Sequence, residues 1–220
     1  MTWHRKQAAL HTQYPDAILT NKCEATAQIN NLVFEDIDFE SVNNGAGLLC
    51  GKSETSLSQA GQIQNITIKN SRMTCGSRCG AVTGYGESAS GSNLMIQNIH
   101  FEDFTLLCNG TDCGGVLGTS RTTRIYLRNI TGQLKIRAPG LYSKNIGGVI
   151  GSSRILNYQD FLNIDLAVDL EAPFANAVGG VVGLDVRSSQ RSYYTRRRAR
   201  PHDDSVRNSK RLPGRAAGIG

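Results

Sequence analysis

Apolar and polar residues alternate along five segments of the chain, and an asparagine opens each segment. The first segment reads NLVFEDIDF, and the last reads NIDLAVDL. Branched and aromatic side chains at every second position are typical of a strand that is buried on one face. The pattern therefore predicts five half-buried strands, and no helical period interrupts them. Their first residues are Asn31, Asn65, Asn98, Asn129 and Asn163.

A short apolar step flanked by glycines follows each predicted strand. The clearest copies read GGVLG, GGVIG and GGVVG and end at Gly118, Gly151 and Gly183, and weaker copies end at Gly51 and Gly84. The closing glycines are 33, 34, 33 and 32 residues apart. A step of this length is too short for a helix, whereas glycine permits a sharp corner or a close backbone contact.

A repeat of 32–34 residues that contains only strands is typical of a solenoid. A propeller blade would need four strands in each repeat. Stacked coils let each repeat bury the apolar face that one repeat cannot bury alone. We therefore predict an all-β fold, a right-handed parallel β-helix or β-solenoid of about five coils, over residues 25–185. Residues 1–24 are predicted to form a leader or an imperfect N-terminal cap.

The five asparagines fall at one corner of this predicted solenoid, stacked about 4.8 Å apart. Stacked side-chain amides can bond to one another and form a ladder. The alternative is that asparagine merely suits the turn that precedes a strand. We favour the ladder and expect it to lie inside the solenoid.

Glycine-glycine-apolar-apolar-glycine steps followed by an asparagine-containing strand resemble the GLUG-type repeats of large surface proteins. The steps that carry the resemblance are residues 114–118, 147–151 and 179–183, with weaker versions at 47–51 and 80–84. The resemblance implies an extracellular, adhesin-like β-solenoid without catalytic residues of its own. This chain departs from the pattern because it carries paired cysteines.

Two cysteine pairs occupy equivalent places in adjacent repeats, Cys75 with Cys79 and Cys108 with Cys113. Disulfides are the favoured interpretation, either as small loops or as crosslinks between coils (Cys75–Cys108 and Cys79–Cys113). Buried free thiols are the second interpretation. A four-cysteine zinc site is the third, because spacers of three and four residues on flat strands are a poor start for a tetrahedron. We therefore predict no metal and no cofactor.

Three Asn-X-Thr sequons occur, and they start at Asn65, Asn109 and Asn129. Two of them coincide with the predicted internal ladder, where a sugar would not fit. Asn109, between two cysteines, is therefore the candidate for glycosylation.

The acidic residues of the repeats do not form the clusters that polysaccharide lyases and hydrolases need. Glu35 and Glu102 share a register, but Lys69 lies in the repeat between them, and two coils leave about 10 Å between the carboxylates. His100 is the only histidine of the repeats and faces no obvious partner. We predict no catalytic residue and no enzymatic activity.

Positive charge is concentrated after the repeats. Residues 187–220 hold ten Arg or Lys and two Asp, a net charge of +8 in a chain whose total is +6. We predict a basic, disordered tail at 186–220. An arginine cluster can bind nucleic acid, but no recognisable nucleic-acid-binding module accompanies it, so this function is the least favoured.

The hypothesis that joins these observations is a non-enzymatic, extracellular or cell-surface β-solenoid with a structural or adhesive role. Surface glycans or other proteins would be its partners, bound by the loops at 52–61 and 85–93. No apolar stretch reaches the roughly 20 residues of a membrane span, and no signal peptide is visible in residues 1–20. The rival is a carbohydrate-active β-helix whose catalytic groups lie outside this chain.

Overall fold

The computed structural model describes residues 2–3, 16–23, 27–55, 61–88, 93–121, 124–154 and 158–185. All regular elements in these ranges are strands. They are β1 (Thr2–Trp3), β2 (Asp16–Ala17), β3 (Thr20–Cys23), β4 (Gln28–Glu35), β5 (Asp38–Gly47), β6 (Cys50–Thr55), β7 (Gly61–Gly80), β8 (Thr83–Ser88), β9 (Asn93–Cys108), β10 (Cys113–Gly114), β11 (Leu117–Arg121), β12 (Arg124–Arg137), β13 (Asn145–Gly147), β14 (Ile150–Ser153), β15 (Tyr158–Glu171), β16 (Ala177–Gly179) and β17 (Val182–Asp185).

The strands form two parallel sheets that wind around one core. The longer sheet stacks β4, β7, β9, β12 and β15 in succession and also contains the short strands β10, β13 and β16, and the second sheet has the order β17-β14-β11-β8-β6-β3. Neighbouring strands lie one repeat apart, so that Cys75 pairs with Cys108. The predicted all-β parallel β-solenoid is therefore confirmed. Its five stacked strands delimit about four turns rather than five coils, and the right-handed sense stays a prediction.

A left-handed backbone residue bends each long strand near its start. The five asparagines that open the alternating segments all have φ between 53° and 59°. Most side chains are strained in this region, but asparagine tolerates it because its short polar side chain can bond locally. The bend explains why asparagine recurs at this position in every repeat.

Inward-facing side chains form continuous rows along the solenoid axis. Phe34, Ile68 and Phe101 are register partners in β4, β7 and β9, and none is more than 1% exposed. Full burial of a side chain of this size stabilises the fold by roughly 1.5–3 kcal/mol. Each turn is therefore held mainly by the turns above and below it.

The glycine steps form a corner where the two sheets come very close together. A Cβ added at Gly84 would lie 2.3 Å from the backbone nitrogen of Ala46. One added at Gly118 would lie 2.3 Å from the carbonyl carbon of Arg78. Distances this short cannot be relieved by a side-chain movement, because the neighbours are backbone atoms. Only glycine fits at these positions, which explains the regular spacing of the steps.

The last turn is less enclosed than the others. In β12, Ile130 and Leu134 are at most 2% exposed, whereas their partners Ile164 and Val168 in β15 are only half-buried. No strand of the described ranges pairs with the outer edge of β15. The described part of the chain also contains no helix long and apolar enough to cross a membrane.

Candidate functional site at the cysteine corner

Five stacked segments lead from the alternating part of each coil to its glycine step; the first two lie within β5 and β7, and the others are loops between strands. We call this stack the cysteine corner; it comprises residues 41–45, 75–79, 108–113, 138–144 and 172–176. Backbone hydrogen bonds connect its levels: Asn109 N donates to Cys75 O at 2.9 Å, and Arg78 N donates to Thr111 O at 2.7 Å. The loops are therefore in register with the strands on either side.

Left-handed residues turn the chain at this corner. Gly45, Arg78 and Asp112 have φ of 89°, 56° and 61°, and the residue that follows each of them is buried. Asn145 Nδ2 donates to Asp112 Oδ1 and thereby ties the 108–112 loop to the following turn.

Each cysteine pair of the corner forms a disulfide within its own loop. Cys75 bonds to Cys79 and Cys108 bonds to Cys113, with Cα–Cα distances of 6.3 and 6.4 Å. All four side chains are buried. The structure thus shows the small-loop pairing, and the alternative crosslinks between coils are not formed.

A third disulfide joins Cys23 to Cys50 on the second sheet. The sequence pattern predicts no partner for either residue, because no glycine step precedes Cys23. The structure shows that residues 16–23 supply strands to both sheets: Ala17 pairs with Gly47, and Cys23 pairs with Ser53. An alignment of the segment DAILT at 16–20 with the later steps was the signal that could have revealed this.

Large apolar side chains project from the cysteine corner into solvent. Leu141 and Tyr142 are 73% and 79% exposed at the tip of a turn that Ser143 N closes by donating to Gly140 O. Phe174 on the next level is 52% exposed, and Val42 on the first level is 55% exposed. This surface was not predicted from the sequence, although two large apolar residues after Pro139 and Gly140 were a visible signal.

The five asparagines of the predicted ladder lie one above another. Each side-chain amide donates to the Oδ1 of the preceding asparagine: Asn65 to Asn31 at 3.0 Å, Asn98 to Asn65 at 2.8 Å, Asn129 to Asn98 at 2.8 Å and Asn163 to Asn129 at 2.9 Å. All five side chains are exposed. The expectation that they lie inside the solenoid is wrong, because the left-handed bend turns them outward.

Because the ladder faces outward, the asparagines of all three sequons are exposed. Asn65 and Asn129 are accessible, but the nitrogen that would carry a sugar is hydrogen-bonded in each of them. Asn109 is also exposed, and it lies in the disulfide loop of the cysteine corner. Asn109 accordingly stays the predicted glycosylation position.

The acidic residues and the histidine are placed on the outer face of the long strands. Glu35 and Glu102 are both register partners of Lys69, which lies between them, and Lys69 Nζ is 3.5 Å from Glu102 Oε2. His100 Nδ1 lies 2.9 Å from Thr131 Oγ1. The expectation that His100 has no partner is thus wrong, since a threonine of the next coil faces it.

Several predicted regions lie outside the described residues. The loops at 52–61 and 85–93 are described only at their ends, without residues 56–60 and 89–92. The predicted tail at 186–220 and most of the predicted leader, including residues 4–15, also fall outside. The domain boundaries and the role of the basic segment stay predictions.

Comparison with known proteins does not assign the chain to a family. No protein-family model, no curated protein and no solved structure matches it. The resemblance to GLUG-type repeats therefore rests on the glycine steps and on the solenoid fold. The cysteine corner is identified as the candidate site from its geometry alone.

Proposed function

We propose that the protein is a non-enzymatic, extracellular or cell-surface β-solenoid that binds another protein through the cysteine corner. The observation that carries the proposal is the exposure of Leu141 and Tyr142, at 73% and 79%, on a turn of defined geometry. Large apolar side chains that lie next to each other in solvent, as Leu141 and Tyr142 do on this turn, are typical of interaction sites. The solenoid supplies the rigid support, in keeping with the adhesive or structural role that GLUG-type repeats imply.

The rigidity of the corner supports this proposal. The disulfide loops at 75–79 and 108–113 lie between the level of Val42 and the level of Leu141. Loops that are fixed before binding lose little conformational entropy when a partner docks. An interaction surface of this kind needs no large rearrangement.

The chemistry of the exposed residues favours a protein partner over a glycan. Tyrosine serves both kinds of partner, but Leu141 and Val42 are aliphatic and offer no hydrogen bond to sugar hydroxyls. Protein interfaces bury aromatic and aliphatic anchors at their centres. A protein with a complementary apolar groove is therefore the expected partner.

The disulfides support a location outside reducing compartments. All six cysteines are paired as three disulfides. Such bonds persist in secreted and surface proteins and are rare in the cytosol. The predicted extracellular or cell-surface localisation is therefore part of the proposal.

A binding experiment with a matched control tests the proposed surface. Full-length protein is measured against a panel of purified extracellular proteins and, in parallel, on a glycan array. The double variant Leu141→Ala/Tyr142→Ala is expected to bind a protein hit at least roughly tenfold more weakly, because interface anchors of this type contribute more than 1 kcal/mol each. Leu162→Ala is the control, since Leu162 is 38% exposed on a different face.

The possible outcomes separate the proposed function from its rivals. Equal losses in the double variant and in Leu162→Ala would contradict a role for the cysteine corner. Binding to glycans alone would replace the protein partner by a carbohydrate. Turnover of any polysaccharide in a hydrolysis or elimination assay would favour the carbohydrate-active alternative.

A further inference from the structure

Four sulfur atoms meet at the cysteine corner and form one compact group. The Sγ atoms of Cys75, Cys79, Cys108 and Cys113 all lie within 4.8 Å of one another, and all four residues are buried. The group arises because Cys75 and Cys108 are register partners, as are Cys79 and Cys113. Two adjacent coils thus contribute two sulfurs each.

The dimensions of this group suit a tetrahedral metal ion. A Zn–S bond is about 2.3 Å long, so four thiolates around one zinc lie about 3.8 Å apart. Once the two disulfides are reduced, the sulfurs of each pair must move apart to reach this value, whereas sulfurs of different coils, at most 4.8 Å apart, need at most a small contraction. The two spacers, of three and four residues, fall within the range that structural zinc sites use.

The backbone removes the objection that flat strands cannot start a tetrahedron. Arg78 and Asp112 have φ of 56° and 61° and stand directly before Cys79 and Cys113. This left-handed turn directs the second cysteine of each loop back toward the first. The four sulfurs therefore occupy the corners of a compact cluster rather than a line.

Because the cluster is buried, its sulfurs can become thiolates only if a metal ion offsets their negative charge. Carbonyl oxygens lie near the cluster, with Cys75 Sγ 3.7 Å from Leu107 O and Cys108 Sγ 3.5 Å from Gly110 O. Neutral thiols could donate to these oxygens. Four uncompensated thiolates could not remain in this buried site, since an isolated buried charge is strongly disfavoured. A divalent cation offsets two of the four negative charges and displaces the four thiol protons.

We propose that the reduced form of the protein binds one Zn²⁺ through Cys75, Cys79, Cys108 and Cys113. A dithiol or phosphine reductant supplies two electrons to each of the two disulfides, and two protons from solvent complete each pair of thiols. Zinc then replaces four protons and leaves a four-coordinate site without an open position. The disulfides close each loop separately, whereas the zinc would join the two coils directly.

Cobalt provides the spectroscopic test. Full-length protein is reduced with a phosphine under anaerobic conditions and titrated with Co²⁺, which shows intense visible bands and thiolate charge-transfer absorption in a tetrahedral sulfur site. We expect saturation at one Co²⁺ per chain, displacement by one equivalent of Zn²⁺, and no bands with the oxidised protein. The absence of these bands in the reduced protein would overturn the proposal.

Two variants assign the signal to the cluster. Cys75→Ala/Cys108→Ala removes one sulfur from each loop and is expected to abolish the bands. Cys23→Ala/Cys50→Ala removes the distant pair and is expected to retain them in full. Circular dichroism follows the fold in every sample. If reduction unfolds the chain and Zn²⁺ does not restore the strand signal, the proposal is likewise overturned.

Discussion

The left-handed asparagine of each coil bends the long strand and turns its own side chain outward. Asn98 illustrates this, because its φ is 55° and its amide both donates to Asn65 and accepts from Asn129. Exposed hydrogen bonds between neutral groups contribute little each, on the order of 1 kcal/mol or less. Holding most other residues in this left-handed conformation costs a similar or larger amount, about 1–3 kcal/mol.

Replacement of Asn98 separates these two contributions. Asn98→Ala is expected to lower the free energy of unfolding by roughly 2 kcal/mol, because alanine neither tolerates the bend nor bonds to the ladder. Asn98→Gly removes the same hydrogen bonds but accepts the left-handed backbone, so its loss is expected to be smaller. Urea denaturation at equilibrium measures both values. A glycine variant as unstable as the alanine variant would show that the ladder outweighs the backbone.

At the scale of the element, the glycine step holds one coil close to the next. A Cβ added at Gly148 would lie 2.0 Å from Gly180 O and 3.0 Å from a methyl group of Val168. The equivalent Cβ at Gly180 would have no neighbour within 4 Å among the described residues. The same sequence position is therefore crowded in one coil and open in the last.

A pair of matched variants measures this difference. Gly148→Ala is expected to destabilise the protein by several kcal/mol or to prevent folding, because backbone atoms of two coils must move apart. Gly180→Ala is expected to change the stability by less than about 1 kcal/mol. Thermal unfolding followed by circular dichroism compares them. A large loss at Gly180 would show that residues outside the described ranges pack against the last coil.

At the scale of the molecule, stability comes from stacking, and the disulfides add to it unequally. Cys23 and Cys50 are 27 residues apart, whereas Cys75 and Cys79 are only 4 apart. A crosslink that closes a longer loop removes more conformational freedom from the unfolded chain. The bond on the second sheet therefore stabilises the fold more than either bond at the cysteine corner.

Removal of the disulfides one at a time tests this order. Cys23→Ala/Cys50→Ala is expected to lower the free energy of unfolding by roughly 3–4 kcal/mol, and Cys75→Ala/Cys79→Ala by about 2 kcal/mol. The comparison is matched because all four side chains are buried. Guanidinium denaturation gives the energies, and peptide mapping without reduction verifies the pairing. The reverse order would contradict the loop-length argument.

Prediction from the sequence was most successful where the pattern is local. Alternation from Asn65 onward predicted a strand, and β7 contains it; the glycine steps predicted corners, and the chain turns there. It was least successful for residues 16–23, because that coil lacks the glycines that mark the others. The apolar surface at Leu141 and Tyr142 was missed for a different reason, since their exposure depends on the loops stacked beside them.

The sequence by itself determined the strands, the corners and the repeat of 32–34 residues, because period-two alternation and glycine placement act within one coil. Only the tertiary structure decided that the asparagines face outward, that Cys23 pairs with Cys50 and that four sulfurs form one group. These features depend on contacts between residues a whole coil apart, and on the direction in which a left-handed bend turns each side chain. No local pattern specifies either of them.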